Sequence, residues 1–435
     1  MKKNPPVFMI KSALMLALTG TASASITFTS KTTLLTADSA TSSTTPVNVS
    51  GLSTSLTGYT GKAMVMSTFS SQKGSNSSSL TATYRLHDGA AVGQDHMRVL
   101  TKNDAYDTGA GSVLGIADIT SGSAVNLQHS RTSSKSIDLE TLAGSTLTAI
   151  PLTAGGKTLD YTSLSSSSSV TNSSSSDVTV ASLTGANTLS VAAVHDGTSE
   201  VFVMASFDTY AAADLDASWS LQYRAEGDTG SWTDIGKQAQ RSVTANEGIV
   251  TLVGLADLSA AGNYDIQLVQ RSDGSNNLTT LGANIVALSL AIDENEYLQS
   301  YEATSVGATG ATLDIDLSED MDVFAVSNIT AETNGTSTID NYNLLSNDGT
   351  SDTTLAYSTR EVGSTDLGSV GLGSISSMLA SNNNSFEINS TGTILEFNPD
   401  SNFVAFGLTS VPEPSSSALL ALSATLFAWH RRRKN

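Results

Sequence analysis

The 435-residue chain has no cysteine, five histidines and seven prolines, and only 14% of its residues are charged. Without cysteine there are no disulfide staples, no thiolate-bound zinc or iron–sulfur centre and no thiol nucleophile. Five histidines leave little for a histidine-rich metal site. Basic residues are the scarcer charge, 21 against 41 acidic, giving a formal charge of −20. Nucleic-acid binding needs a basic face, so that class is excluded. Of the prolines only Pro46, Pro151 and Pro399 lie between the two end segments, which leaves long stretches free for unbroken strands. The G-x-S-x-G turn of α/β-hydrolases is absent. Helical periodicity is nearly missing, residues 293–303 being the best short candidate. The length suggests two to four domains.

What is present begins at the ends. Lys2, Lys3 and Lys11 precede or flank an apolar run over residues 13–18, followed by Ala22-Ser23-Ala24. A positive start, a short apolar middle and an A-x-A exit form a secretory signal, with cleavage placed after Ala24; the run is too short for a permanent span. The other end reads Val411-Pro412-Glu413-Pro414, three serines, an apolar stretch over 418–429, His430, then Arg431, Arg432, Arg433 and Lys434. Paired prolines break structure ahead of the apolar run, which is expected as a short hydrophobic helix. The cations resist crossing a membrane. Twelve helical residues cover about 18 Å, less than a bilayer core, so the tail reads as a transient stop rather than a lasting anchor. The two end segments hold seven basic residues and one acidic residue, which leaves 40 acidic and 14 basic groups, a charge of −26.

Pro412, Glu413 and Pro414, the apolar run and the basic stop Arg431–Lys434 together resemble the PEP-CTERM sorting signal of Gram-negative bacteria. The resemblance covers residues 411–435 only. It implies export, transient residence in the inner membrane, recognition by an exosortase-like sorting protease, and delivery to the cell surface or an exopolysaccharide matrix.

The middle of the chain repeats. Residues 112–119 (SVLGIADI) match 251–258 (TLVGLADL), and Val65-Met66-Ser67-Thr68-Phe69 matches Val203-Met204-Ala205-Ser206-Phe207. Thr83-Tyr84-Arg85 matches Gln222-Tyr223-Arg224, and 147–152 matches 285–290, all at offsets of 138 or 139. A weaker third copy pairs Gly254 with Gly373, Tyr223 with Tyr342 and 285–288 with 403–406, at 118 or 119. Each copy reads as β structure. Trp219, Leu221 and Tyr223 alternate with polar neighbours, β-branched residues fill the runs, and Asp88-Gly89, Asp196-Gly197, Asp273-Gly274 and Asp348-Gly349 mark turns. The expected architecture is all-β: tandem β-sandwich, jelly-roll-like repeats. The segments are a signal peptide over 1–24, repeat one over 26–160, a serine-rich flexible linker over 161–178, repeat two over 179–292, a divergent repeat three over 293–410 and the sorting tail over 411–435.

No chemical constellation recurs in the copies. His87, His96, His129 and His195 have no repeat partners and read as surface or turn residues. Arg85 and Arg224 read as members of a structural ion pair or of a strand edge. Ca²⁺ is the one cofactor the sequence offers, at Asp314, Asp316, Glu319, Asp320 and Asp322, because it takes six to eight oxygen ligands; an acidic edge that discourages strand pairing is the competing reading. Trp232, in Gly230-Ser231-Trp232-Thr233-Asp234, could stack on a pyranose ring. The expected function is therefore that of an exported, non-enzymatic structural or adhesive protein. A carbohydrate-binding protein docking on exopolysaccharide is the alternative, and a secreted hydrolase the third.

Overall fold

A computed structural model describes residues 25–412 apart from 76–77, 101–107, 122, 134–136, 193–198, 214, 244–247, 304–309, 334–337, 363–366, 392–394 and 398–400. The signal segment, His195, Glu413, Pro414, the expected terminal helix and the basic stop lie outside the described residues. Within them the protein is built from strands, with one short 3-10 turn at Gly185–Asn187.

The first third holds β1 (Lys31–Leu34), β2 (Ser39–Thr41), β3 (Val47–Thr54), β4 (Gly61–Lys73), β5 (Leu80–His87), β6 (Ala91–Leu100), β7 (Gly109–Ile119), β8 (Val125–Ser133), β9 (Leu139–Thr141) and β10 (Thr146–Pro151). A small hairpin follows, β11 (Thr153–Ala154) with β12 (Lys157–Thr158). The second third holds β13 (Tyr161–Ser166), β14 (Val170–Asn172), β15 (Val178–Leu183), β16 (Leu189–Val191), β17 (Ser199–Ala211), β18 (Leu215–Ala225), β19 (Thr233–Val243), β20 (Gly248–Leu258), β21 (Gly262–Ser272) and β22 (Leu278–Ser289). The last holds β23 (Ala291–Asp293), β24 (Glu296–Ala303), β25 (Gly310–Ile315), β26 (Met321–Thr333), β27 (Thr338–Asn347), β28 (Asp352–Val362), β29 (Gly368–Met378), β30 (Asn384–Ser390), β31 (Leu395–Phe397) and β32 (Asn402–Pro412).

Each third is a two-sheet jelly roll. In the second, one sheet runs β13-β22-β17-β20 and the other β15-β21-β18-β19. Counted along that third, these are strands one, eight, three and six against two, seven, four and five. The same order appears as β1-β10-β4-β7 against β3-β8-β5-β6, and as β24-β32-β26-β29 against β25-β30-β27-β28. This is jelly-roll connectivity rather than that of an immunoglobulin sandwich.

The three rolls close on one another. Along β17, Val201, Val203, Ala205 and Phe207 point into their own sandwich, while Phe202 and Met204 point the other way into a fourth core. That core is shared: Met64, Met66 and Leu114 come from the first roll, Phe202, Met204 and Val253 from the second, Phe324, Val326 and Phe406 from the third. Phe202, Phe324 and Phe406 form an aromatic trio with ring centroids 5.2–6.2 Å apart. The inner sheets are thus covered on both faces, which is why their strands read as nearly continuous apolar runs instead of alternating ones.

The seams repeat with pseudo-threefold regularity. The Met97 amide donates to Asp208 at 2.8 Å, the Gln240 amide to Thr330 at 3.2 Å, and the Thr359 amide to Ser70 at 2.8 Å. Strand β6 thus docks on the second roll, β19 on the third and β28 on the first, a head-to-tail ring. Gly93 (φ +75°) and Gly236 (φ +62°) sit at equivalent places, where positive φ turns the next amide outward. Those amides, Gln94 and Lys237, each donate 2.7 Å bonds to an asparagine, Asn284 and Asn402 respectively.

Two seams are continuous in sequence and the third is not. Leu159 donates its amide to the Leu152 carbonyl, and Leu298 to the Leu290 carbonyl, across the short connections between rolls. The counterpart between the third roll and the first is Phe28 donating to Leu408 at 2.7 Å. Residues 26–28 therefore act as a strap: Thr27 bridges Thr409, the Ser410 amide donates to the Ile26 carbonyl, and Phe28 is fully buried in the shared core.

Three expectations are corrected. Residues 293–303 are not helical; they complete the β23–β24 hairpin and pair with β32. The serine tract is not a flexible linker: Tyr161–Ser166 and Val170–Asn172 pair in register with β22. An edge strand asks only for backbone hydrogen bonds and one packed face, and Tyr161 and Leu164 supply the apolar contacts. Finally, Tyr84 is not the counterpart of Tyr223. Tyr84 faces His96, Trp219 faces Ala239 and Tyr342 faces Ser358, so these three aromatics are equivalent. All three are buried, and Phe69–Tyr84 at 3.9 Å matches Phe207–Trp219 at 5.4 Å. The turn from β4 to β5 is longer than that from β17 to β18, so a constant offset slides the fourth strand.

Candidate functional site

Several of the residues that the sequence singles out have partners within the fold. Trp232 is half-buried, and the Arg224 guanidinium lies 4.3 Å over its ring, with Nε of Arg224 3.4 Å from Asp265. One face of the indole is therefore occupied by a cation. Arg85 pairs with Asp95 at 2.8 Å. Asp314, at the end of β25, is exposed; the Asp316 carbonyl accepts from Tyr301 at 2.5 Å; Asp320 accepts from the Ala380 amide at 2.9 Å; and Asp322 accepts from Ser377 at 2.5 Å. Among the described residues no three His, Asp or Glu side chains gather into a group able to hold a metal ion, Glu319 included.

One constellation has the form of catalytic machinery. At the first seam, Ser206 Oγ lies 2.8 Å from His96 Nε2, and His96 Nδ1 lies 2.9 Å from Asp208. Asn284 fixes the tautomer. Its Oδ1 accepts from the Gln94 amide at 2.7 Å and from Ser165 at 2.9 Å, so its Nδ2 donates to His96 Nε2 at 2.9 Å. Nε2 is then an acceptor and Nδ1 carries the proton toward Asp208, although the Nδ1–Oδ1 approach is close rather than well aligned. Serine, histidine and aspartate are in the order of a hydrolase triad. Yet His96 and Ser206 are completely buried and Asp208 nearly so. A substrate cannot reach Oγ, and the cluster works as a polar plug in the seam. At the equivalent places Ser70 and Ser358 meet at 2.7 Å, and the amide of Gln240, the residue after Ala239, donates to Thr330.

A second repeated feature escaped the sequence reading. Buried Arg98, Arg241 and Arg360 hold equivalent positions, two residues after His96, Ala239 and Ser358. Each guanidinium occupies the space a Cβ would take on a facing glycine, Gly109, Gly248 or Gly368, at 1.6–2.3 Å. Arg98 donates to the Thr108 carbonyl and Arg360 to the Ser369 carbonyl. The signal was available as R-x-[VL] in all three copies: Arg98-Val99-Leu100, Arg241-Ser242-Val243 and Arg360-Glu361-Val362.

Buried titratable groups complete the electrostatics. Burial lowers His129 to about 4, its Nδ1 lying 2.8 Å from Thr141. Burial raises the Tyr84 phenol to about 12 despite a contact to the same Thr141.

An open concavity lies at the strap. A groove of about 440 Å³ is walled by Thr27 of the strap, by Thr29, Ser30 and Lys31 leading into β1, by residues 55–59 from the loop before β4, and by Pro151 and residues 153–155. The Tyr59 hydroxyl donates to the Lys62 carbonyl, which pins the ring at the wall. A smaller hollow of about 270 Å³ lies on the third roll among Ser346, Asn347, Asp348 and Asn384.

No family model matches this chain and no curated protein matches it. Among solved structures it is similar to the CBM22-1–CBM22-2 tandem domain of Xyn10C from Paenibacillus barcinonensis, at 12% identity, covering 58% of this chain and 94% of that one with a TM-score of 0.18. It is also similar to a structure described as showing the triple jelly roll fold and turret assembly in an archaeal virus, at 10% identity over 90% and 93% with a TM-score of 0.18. A third is from Sulfolobus turreted icosahedral virus, at 9% identity over 92% and 94% with a TM-score of 0.17.

Proposed function

We propose that this protein is an exported, non-enzymatic structural element of the cell surface or of an exopolysaccharide matrix, delivered through its PEP-CTERM-like tail. One observation carries the reading beyond the tail sequence. The strap that follows the signal segment and the last strand before Pro412 lie side by side, hydrogen-bonded through Ile26 and Ser410. The residues to which the two membrane-seeking ends are joined therefore lie side by side, an arrangement suited to a body held at a membrane while a sorting protease acts on its tail. The chemistry agrees with a passive role. The Ser206–His96–Asp208 set is sealed inside a seam, and the charge of −26 between the ends keeps an extracellular body soluble.

The test is expression in a host with a sorting protease, followed by fractionation and intact-mass measurement. The expected product is a surface or released form lacking residues 1–24 and the stop Arg431–Lys434. A surface form that retains Arg431–Lys434, or a chain that stays in the cytoplasm, overturns the proposal.

A further inference from the structure

The groove at the strap has a lining unlike the acidic composition of the chain. The chain carries 41 acidic residues, yet none lines this groove; its single charged lining residue is Lys31. The remaining lining is dominated by hydroxyls (Thr27, Thr29, Ser30, Ser55, Thr57 and Thr153), with the Tyr59 ring and Pro151 as apolar surfaces. Thr27, Thr29 and Thr57 are exposed and Tyr59 is half-buried. A volume of about 440 Å³ falls within the usual range of small-molecule sites, roughly 300–1,000 Å³.

We infer that this groove binds a saccharide chain bearing carboxylate groups. Hydroxyl-rich walls exchange hydrogen bonds with ring hydroxyls. An aromatic face supports the apolar face of a pyranose. Lys31 meets a carboxylate where no protein carboxylate opposes it, so the groove is a gap in a field that otherwise repels polyanions. The orientation of Tyr59 is set by its own hydroxyl, which donates to the Lys62 carbonyl. The ring, not the phenol, is the binding element. The site rests on the matrix reading only for where such a polymer would be met; binding itself does not depend on export.

The experiment is isothermal titration of the full-length chain, in mild detergent, with oligogalacturonate as the anionic probe and maltohexaose as the neutral one. Saturable binding of oligogalacturonate is expected. Tyr59→Phe keeps the affinity within twofold, and Tyr59→Ala weakens it at least tenfold. Lys31→Gln weakens oligogalacturonate at least threefold and removes any preference over maltohexaose. Thr57→Glu, an exposed change that sets a carboxylate in the groove without touching the core, abolishes oligogalacturonate binding while leaving the melting temperature unchanged. Trp232→Ala has no effect. Absence of binding to the intact protein, binding that survives both Tyr59→Ala and Thr57→Glu, or equal affinity for both probes in the parent protein overturns the inference. Correct sorting with no sugar binding would sink this site and leave the proposed function standing.

Discussion

Phe28→Ala is the sharpest perturbation of the ring. Phe28 has no exposed surface, and its ring belongs to the core that all three rolls share, yet only the short strap holds it there. Removing a buried phenylalanine costs about 3–5 kcal/mol through lost transfer energy and the cavity left behind. For a cooperative unit of this size, about 1 kcal/mol corresponds to a shift of only one or two degrees, so the melting temperature should fall by about 5 °C. The loss is capped by the cost of unseating the strap, because a strap that dissociates cannot destabilise further. Calorimetry should therefore be paired with hydrogen exchange. The Leu298 and Leu159 amides, at the covalent seams, should keep their protection, while the Ser410 amide, bonded to the Ile26 carbonyl, should lose it. An unchanged melt together with unchanged protection at Ser410 would refute the reasoning.

Three further outcomes are expected. His129, lowered to about 4 by burial, binds its proton more weakly when folded than when unfolded, so stability is full above pH 6.5 and falls as the pH drops toward 4, by roughly 3 kcal/mol at most; His129→Asn should remove that acid slope in urea melts taken from pH 7 to 4. Gly144 has φ +90° and a Cβ there would stand 2.5 Å from the Tyr357 carbonyl, so Gly144→Ala should open the seam between the third and first rolls at a cost of about 2–4 kcal/mol, read by chemical denaturation. Ser206 should resist fluorophosphonate labelling in the native protein, and Ser206→Ala should cost about 1–2 kcal/mol as a lost buried hydrogen bond; labelling of native Ser206 would mean that the cluster is open to substrate.

What the sequence made legible was whatever lies close together along it. The strand runs, the Asp-Gly turns and the repeated Val-Met-x-x-Phe segments are local, and they lead to all-β rolls. The closing of the ring was not legible, because residues 26–28 meet 408–410 across nearly the whole chain. Residues such as Phe202 and Met204 hinted at it: they are apolar at positions where a sandwich exposed on one face would place polar groups, and a second covering layer explains them. The serine tract misled because composition reports on burial, whereas an edge strand is held by its backbone. The groove was invisible for a similar reason. Tyr59 sits in Gly58-Tyr59-Thr60-Gly61, a turn-like setting that attracts no notice until the strap and the 151–155 turn are brought beside it. Trp232 drew notice as a loop aromatic, but its Arg224 partner lies eight residues away on the preceding strand.

The ring can be tested with a single crosslink. Thr27 and Thr409 face each other between the two flanking hydrogen bonds, Phe28 to Leu408 and Ser410 to Ile26, the close-spaced kind of antiparallel pair. The chain has no cysteine of its own, so T27C/T409C permits one disulfide and no other. Mild oxidation should give a monomeric disulfide in near-quantitative yield, with stability raised by about 2–4 kcal/mol and restored to the parent value on reduction. Thiols that stay free, or that link only between molecules, would show that the first and third rolls do not meet and that the ring is open.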